Sequence, residues 1–400
     1  MRILWLVIPI LITSCSLRVE EKSALITAAP SSREITWPSW TTAEFSDEHT
    51  KLPLTPDFIS GPTGEVITYG KAADGSEHFV VISEREKNTK PGILQLRQCL
   101  LPTSIFAGPN PIHANINELV SHDRAWSYST FHLRSAFFDY LPALTPQPKG
   151  LIVYRTSIML LSSPEKKIVT QLRKKGWHIL VGLPPDSLYR TKLPALSSPE
   201  GSLDAAADLI AEDMDRHHLE QARSTQVALE YLAKKHPSSL TGKRILMGTS
   251  AGTFGLPAEA LKNPGWDGLI FVSGGVNLLS MYESGSAGVF DDTMKWVSDA
   301  RKNPPKKIMR IFTNDEYHEI FRRAAERTQF HAGALAPKLH DQRILMISGT
   351  LDQILPSEQA ADLYQALGKP ERWTAPLGHH LIALKLIYEV DRIDRWIMND

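Results

Sequence analysis

Short apolar runs alternate with amphipathic segments from about residue 130 to the end of the chain. Two of these amphipathic segments have helical periodicity, at about 163–175 and 203–235. Pro164 lies in the predicted first turn of the earlier segment, a position in which proline is common. The apolar runs have the length and continuity of strands buried on both faces, and they lie at 151–154, 178–181, 244–247, 268–272 and 343–347. Strands that alternate with helices predict an α/β domain whose mostly parallel sheet carries helices on both faces.

The chain before residue 130 has a different pattern. Residues 66–69 and 78–82 are strand-like and flank Asp74-Gly75, which predicts a β-hairpin. We therefore divide the chain after residue 15 into three segments. A tether or irregular segment covers 16–60, a β-containing N-terminal extension covers 61–129, and the main domain covers 130–400. Residues of about 280–340 interrupt the alternation of strands and helices, and we expect them to form a cap insertion at the carboxyl edge of the sheet.

Composition narrows the classes of function. The 400 residues carry 44 basic and 44 acidic side chains, so the chain lacks the excess of positive charge typical of nucleic-acid binding. The chain has two cysteines, Cys15 and Cys99, which excludes a disulfide framework and a cysteine-based metal site.

The first fifteen residues have the pattern of an export signal. Arg2 precedes an apolar run at 3–12, which is too short for a membrane span of about 20 residues but suits a signal peptide. The run Leu-Ile-Thr-Ser-Cys that ends at Cys15 resembles the lipobox of bacterial lipoproteins. This resemblance implies cleavage before Cys15, its lipidation, and a membrane-anchored protein of the bacterial cell envelope. Ser16 favours the outer membrane over the inner membrane. An ordinary signal peptide is the alternative.

A glycine-flanked serine directly follows the apolar run at 244–247. In Gly248-Thr249-Ser250-Ala251-Gly252, the pattern G-x-S-x-G fits a sharp turn from strand to helix that exposes the serine hydroxyl. Glycines two residues to either side leave out the Cβ atoms that would collide with neighbouring backbone. The Ala251 amide then faces the position of an oxyanion. A glycine-rich connecting loop without chemistry is the alternative.

Two later motifs complete the set. Gly349-Thr350-Leu351-Asp352 follows the run at 343–347, and Gly378-His379-His380 lies 27 residues after the aspartate. With the order serine, aspartate, histidine, the chain from 130 to 400 resembles the α/β-hydrolase superfamily. The resemblance implies that Ser250 is the nucleophile, that Asp352 orients the base, and that the base is His379, which follows the glycine directly. His380 is the alternative base.

The resemblance implies both a fold and an activity. The fold is an α/β-hydrolase fold with a mostly parallel central sheet, helices on both faces, the β-containing N-terminal extension and the cap. The activity is that of a serine hydrolase, of the carboxylesterase or lipase type, that cleaves an ester-type acyl bond in a small-molecule or acylated substrate through an acyl-enzyme. It implies no cofactor and no metal. Carboxylic esters, thioesters, acylated glycans and peptides all remain open as substrates.

One segment departs from the family pattern. Many relatives carry His-Gly after the strand that corresponds to 151–154, where this chain has Arg155-Thr156-Ser157. A backbone amide needs no particular side chain, so we expect Thr156 or Ser157 to supply the second oxyanion donor. The alternative function is a catalytically silent hydrolase fold that serves as an envelope binding or scaffold protein.

Three further groups of polar residues are weaker candidates. His217-His218, with Asp213 and Asp215 beside them, are interpreted as a solvated helix face rather than a metal site. Asp315, Glu316 and His318 lie in the cap and are interpreted as surface residues. A charged cluster in the cap is expected to shape substrate entry, and its members are Arg322, Arg323, Glu326 and Arg327.

Overall fold

The computed structural model describes residues 18–20, 44–46, 65–71, 73–85, 133–157, 162–182, 202–279 and 313–399. The predicted lipidation site Cys15, Cys99, most of the tether and the first part of the cap lie outside these residues. No helix of the described part of the chain combines the length and the apolar character needed to cross a bilayer.

Within the described residues, eleven strands form one sheet, in the order β1-β11-β10-β9-β8-β6-β7-β5-β4-β3-β2. Neighbouring strands from β7 to β11 in this order are parallel, whereas β3, β4 and β5 pair antiparallel at one side. The strands are β1 Arg18–Glu20, β2 Glu44–Ser46, β3 Glu65–Lys71, β4 Glu77–Arg85, β5 Leu133–Leu141, β6 Gly150–Arg155, β7 Trp177–Gly182, β8 Lys243–Thr249, β9 Gly268–Val272, β10 Ile344–Gly349 and β11 Glu371–Ala375.

Helices cover both faces of this sheet. They are α1 Ser163–Lys174, α2 Leu203–Lys235, α3 Leu256–Lys262, α4 Asn314–Arg327, α5 Ala332–Leu335, α6 Ser357–Ala366 and α7 His379–Met398. Helices α1 and α7 pack against each other, and α2, α3, α5 and α6 form a second group. Alternate residues of each strand face opposite sides of a sheet. On β6, Leu151 and Val153 therefore share a core cluster with Leu232 of α2 and Leu363 of α6.

The predicted α/β-hydrolase fold, with its mostly parallel sheet and helices on both faces, is thereby confirmed. The hairpin of the N-terminal extension is present as β3 and β4, and Gly75 has a φ of +79° in its turn. This hairpin is continuous with the main sheet, because β4 pairs with β5 and β5 pairs with β7. The sheet thus extends beyond the parallel strands that the apolar runs predicted.

The described part of the predicted cap divides into two regions. Helix α4 packs its apolar side, including Ile320 and Phe321, against Ile210 and Met214 in the N-terminal half of α2. The residues after α4 join the main core instead, where Ala332 and Leu339 are buried with strand residues. Within the described part of the predicted cap, α4 therefore belongs to a cluster separate from the main core, and its role over the site stays a prediction.

Two of the four charged cap residues hold α4 against α2. Arg323 forms an ion pair with Asp204 at 3.0 Å, and Arg327 contacts Asp204 and lies 2.8 Å from Asp208. Arg322 instead pairs within α4, with Glu319 and Glu326. Exposed pairs of this kind contribute little to stability, because water screens the two charges. The apolar contact is therefore the main attachment of α4.

Candidate active site

Ser250 stands on a strained turn at the carboxyl end of β8. The strand ends at Thr249, and a short 3-10 turn follows over Ser250–Thr253. Ser250 has a φ of +53°, in the left-handed region that costs a residue with a Cβ about 1–2 kcal/mol. Such a conformation persists only where the surroundings over-determine it. Inside the turn, the Thr253 hydroxyl donates to the Ser250 carbonyl at 2.6 Å.

The two flanking glycines are required by close backbone approach. A Cβ on Gly252 would lie 2.5 Å from the carbonyl oxygen of Arg155 and 2.6 Å from that of Thr156. A Cβ on Gly248 would lie 2.6 Å from the carbonyl oxygen of Gly252. The backbone of the turn thus contacts the end of β6 at Gly252, and Gly248 contacts Gly252 within the turn. These close contacts explain why both positions of the motif are glycine.

The structure brings the three predicted residues together from distant parts of the sequence. His379 Nε2 lies 2.8 Å from Ser250 Oγ, and His379 Nδ1 lies 2.7 Å from Asp352 Oδ2. Because an ionised carboxylate only accepts, Nδ1 carries the proton and Nε2 is free to accept from the serine. This tautomer is the one that a general base needs in order to take the serine proton.

Asp352 also organises its own loop. Its Oδ1 accepts from the amides of Ile354 at 3.0 Å and Leu355 at 2.9 Å, while Oδ2 faces His379. The next helix, α6, begins after Pro356, and no side chain forms a hydrogen bond at its N-cap. Backbone donors therefore fix the orientation of the carboxylate, with Oδ2 directed at His379.

The two histidines differ in position. His379 is the first residue of α7 and its side chain is half-buried, whereas His380 is exposed and stands edge-on to the His379 ring, with centroids 5.7 Å apart. The contacts to Ser250 and Asp352 both belong to His379. The geometry thus places His379, and not His380, in the position of a base.

The predicted second oxyanion donors are already engaged. The Thr156 amide donates to the Gly182 carbonyl at 3.4 Å, and the Ser157 amide donates to Glu165 at 2.9 Å. Both amides thus already have acceptors in the structure, and their role at an oxyanion stays a prediction. The Ala251 amide, which follows the nucleophile directly, remains the candidate donor.

Arg155, which stands where many α/β-hydrolases carry His-Gly, has a structural role. Its side chain is buried and points away from the site, where it meets Glu259 of α3 at 3.0 Å and donates to the Gln221 carbonyl at 3.0 Å. A buried pair of this kind costs much when one partner is lost. Arg155 thus connects β6 to α2 and α3 through its side chain.

Apolar side chains border the site on the cap side. Ala251 packs against the cluster that joins α2 and α4, and Leu355 belongs to the same cluster. Leu351 and Leu381, neighbours of Asp352 and His379 in sequence, are 62% and 36% exposed. Exposed apolar side chains of this size mark candidate binding surfaces.

A buried glutamate near the site was missed in the sequence analysis. Glu165 is the third residue of α1 and is fully buried beside Ser157 and Ser162. The available pattern was Ser162-x-x-Glu165, a capping-box sequence that precedes an apolar helix face. That pattern predicts a helix start and nothing about a nearby catalytic serine.

The interpretation of His217-His218 as a solvated face is wrong. Both side chains are buried in α2, with ring centroids 5.5 Å apart. Asp215 instead accepts from the amides of Gln329 and Phe330 and so holds the chain after α4. Among the described residues, no three histidine, cysteine or carboxylate side chains form a group that could hold a metal ion.

The buried histidines should make the protein acid-sensitive. Burial, followed by the nearby charges of His217 and His331, lowers the pKa of His218 well below 6.5, and burial also lowers the pKa of His331. Below about pH 6.5 these histidines are therefore protonated in the unfolded chain but remain neutral in the folded chain. The free energy of unfolding then decreases as the pH falls. The expected slope is about 1.4 kcal/mol per pH unit for each such histidine.

Thermal unfolding measured at several pH values between about 8 and 5, the range in which histidine ordinarily titrates, tests this effect. His218→Gln should flatten the decline of Tm, because its replacement does not titrate. Replacement of the exposed His340 by Gln should leave the decline as it is. A decline of equal steepness in the His218 variant would contradict the assignment to this residue.

Comparison with known proteins gives neighbours of low similarity. No family model and no curated protein matches the sequence. Acetyl xylan esterase 1 from Thermoanaerobacterium is 13% identical, with a TM-score of 0.44 over 82% of this chain and 88% of its own. An esterase of Pyrococcus furiosus is 9% identical, with a TM-score of 0.42 over 66% and 86%. The esterase domain of a Rhodothermus marinus protein is 13% identical, with a TM-score of 0.36 over 67% and 93%.

Proposed function

We propose that the protein is a serine hydrolase that cleaves an ester-type acyl bond, with Ser250 as nucleophile, His379 as base and Asp352 as the orienting acid. The observation that carries the proposal is the continuous hydrogen-bonded line from Asp352 Oδ2 through both ring nitrogens of His379 to Ser250 Oγ. Its two distances, 2.7 and 2.8 Å, lie within the range of about 2.6–3.2 Å for an activated nucleophile.

The reaction follows from these positions. His379 Nε2 takes the Ser250 proton as Oγ attacks the substrate carbonyl carbon, and the carbonyl oxygen becomes an oxyanion that the Ala251 amide faces. Asp352 stabilises the imidazolium that forms. The imidazolium then protonates the leaving alkoxide, which leaves the acyl group on Ser250. Water, deprotonated by His379, attacks this ester and releases the acid and the free serine.

A fluorophosphonate probe tests the proposal without knowledge of the substrate. The probe phosphonylates only serines that a neighbouring base activates, so the wild-type protein should be labelled covalently and Ser250→Ala should not. Mass spectrometry of the labelled peptide should place the adduct on Ser250. A wild-type protein that stays unlabelled at every probe concentration would overturn the proposal.

A catalytically silent hydrolase fold is the second candidate, because the Thr156 and Ser157 amides are both engaged. A site with one oxyanion donor loses about 10²–10³-fold in kcat relative to a site with two. Labelling without hydrolysis of any short-chain p-nitrophenyl ester or thioester would favour this candidate. Turnover of any member of that panel would exclude it. We expect small-molecule or acylated substrates with an apolar portion, because Leu351 and Leu381 are exposed and lie close in sequence to Asp352 and His379.

We also propose that Cys15 anchors the protein to the membrane through lipid, on the basis of the lipobox-like sequence that ends there. Two or more acyl chains on one residue suffice for stable anchoring. The wild-type chain should therefore partition into detergent and incorporate labelled fatty acid, and Cys15→Ala should do neither. A Cys15→Ala chain that is processed and retained in the membrane like the wild type would contradict the anchor.

A further inference from the structure

Glu165 is a carboxylate buried beside the nucleophile turn that the mechanism does not use. It lies in the first turn of α1 and accepts from Ser157 N at 2.9 Å, Ser157 Oγ at 3.0 Å, Ser162 N at 2.8 Å and Ser162 Oγ at 2.6 Å. Tyr154 Oη donates to it at 3.3 Å. All five contacts come from neutral donors. Burial of a carboxylate costs free energy unless hydrogen bonds compensate it, so these five donors are what make the buried position tolerable.

A second link joins Glu165 to the nucleophile. Tyr154 Oη lies 2.8 Å from Thr249 Oγ1, and Thr249 directly precedes Ser250. Burial raises the pKa of Tyr154 well above its usual value, so the phenol keeps its proton. Because that proton points to Glu165, Thr249 is the donor to the tyrosine. The hydrogen bonds thus run in one direction, from Thr249 through Tyr154 to Glu165.

The end of β6 and the nucleophile turn also support each other through the backbone. Strands β6 and β8 are parallel neighbours with Arg155 opposite Gly248, so the carboxyl ends of the two strands lie side by side. Gly252 of the turn rests on the carbonyls of Arg155 and Thr156. A displacement of the end of β6 would therefore displace the turn that holds Ser250 at a φ of +53°.

We propose that Glu165 is a positioning residue for the nucleophile: its carboxylate fixes Ser157 at the end of β6 and, through Tyr154 and Thr249, the strained turn that carries Ser250. This inference rests on the proposed serine-hydrolase function. Its competitor is a purely structural role, in which Glu165 does no more than stabilise the start of α1. Loss of a helix cap lowers the stability of the fold and leaves the chemistry of a folded protein untouched.

The two roles differ in the rate of covalent modification. In Glu165→Gln the side chain keeps its size, but its amide nitrogen must face donors and at least one contact is lost. We expect the limiting rate of fluorophosphonate labelling to fall about 10- to 100-fold, as for a small misplacement of a reacting group. The probe concentration at half-saturation should stay the same, because the contacts that bind the probe are unchanged.

Asp394→Asn is the matched control. Asp394 is another buried carboxylate, on α7, and it accepts from Trp177 Nε1 and Lys149 Nζ at 2.8 Å each. Its replacement should lower Tm and leave the labelling rate of the folded protein unchanged. All rates are compared at a temperature where circular dichroism shows each variant to be folded.

Tyr154→Phe keeps the test decisive where Glu165→Gln does not fold. It removes only the hydroxyl that joins Thr249 to Glu165, and it should also slow labelling at unchanged half-saturation. The double variant should be slowed less than the product of the single effects, because both act through one chain of hydrogen bonds. Full labelling rates in Glu165→Gln and Tyr154→Phe, beside a reactive wild type, would overturn the positioning role and leave the proposed function standing. An unreactive wild type would instead overturn both.

Discussion

Ser250→Ala should reduce kcat by about 10⁴-fold or more, because no other group at the site replaces the serine oxygen as nucleophile. His379→Ala should cost about as much, since without the base the hydroxyl remains a weak nucleophile. Asp352→Asn should cost somewhat less, because Asn retains an acceptor for the Ile354 and Leu355 amides while losing the charge that faces His379. The measurement is kcat on the best ester of the substrate panel.

Two comparisons make this prediction specific. The double variant Ser250→Ala/His379→Ala should be hardly worse than either single variant, because the two residues act as one unit. His380→Ala should retain most of the activity, since His380 is exposed and the contacts to Ser250 and Asp352 come from His379. An inactive His380 variant beside an active His379 variant would move the base to His380. Full activity in Ser250→Ala would end the serine-hydrolase proposal.

Gly252→Ala should abolish most of the activity without touching any reacting group. The new Cβ would lie 2.5 Å from the Arg155 carbonyl oxygen, and its three nearest neighbours are all backbone atoms, which cannot swing aside as a side chain could. The turn must shift, and a shift of about 1 Å at a reacting group costs about 10²-fold in rate. Overpacking should also lower stability by about 1–3 kcal/mol. Steady-state kinetics and thermal unfolding measure the two effects separately.

Gly378→Ala is the control for this substitution. Gly378 precedes His379, but a Cβ there would lie 3.5 Å from the Leu351 carbonyl oxygen, an ordinary contact. Its φ of −80° also suits any residue. Activity should therefore persist in this variant. Equal losses in the two variants would show that crowding at Gly252 does not cause the effect.

The sequence predicted the parts of the fold that depend on local pattern. Strands buried on both faces are continuously apolar, so β6 and β7 were found to within a residue at each end. Helix α2 was found at 203–235, because its apolar positions recur over a long stretch. Strand β11 was missed, since only part of Glu371–Ala375 is apolar and its place in the sheet depends on β10. The burial of His217 and His218 was missed for a related reason, because it is caused by the elements packed around α2.

By itself, the sequence determined which chemical groups are present and which short turns hold them. Glycine spacing around Ser250, and the positions of Asp352 and His379 after apolar runs, are local properties that a pattern carries. Tertiary structure alone decided which atoms meet. The sequence favoured His379 over His380 by its position after Gly378, and the structure shows that it is the His379 ring that contacts Ser250. The tertiary structure also tied the Ser157 amide to Glu165, because the end of β6 and the start of α1 converge in space. Hydrogen-bond partners separated by many residues depend on the packing of whole elements, which no short pattern encodes.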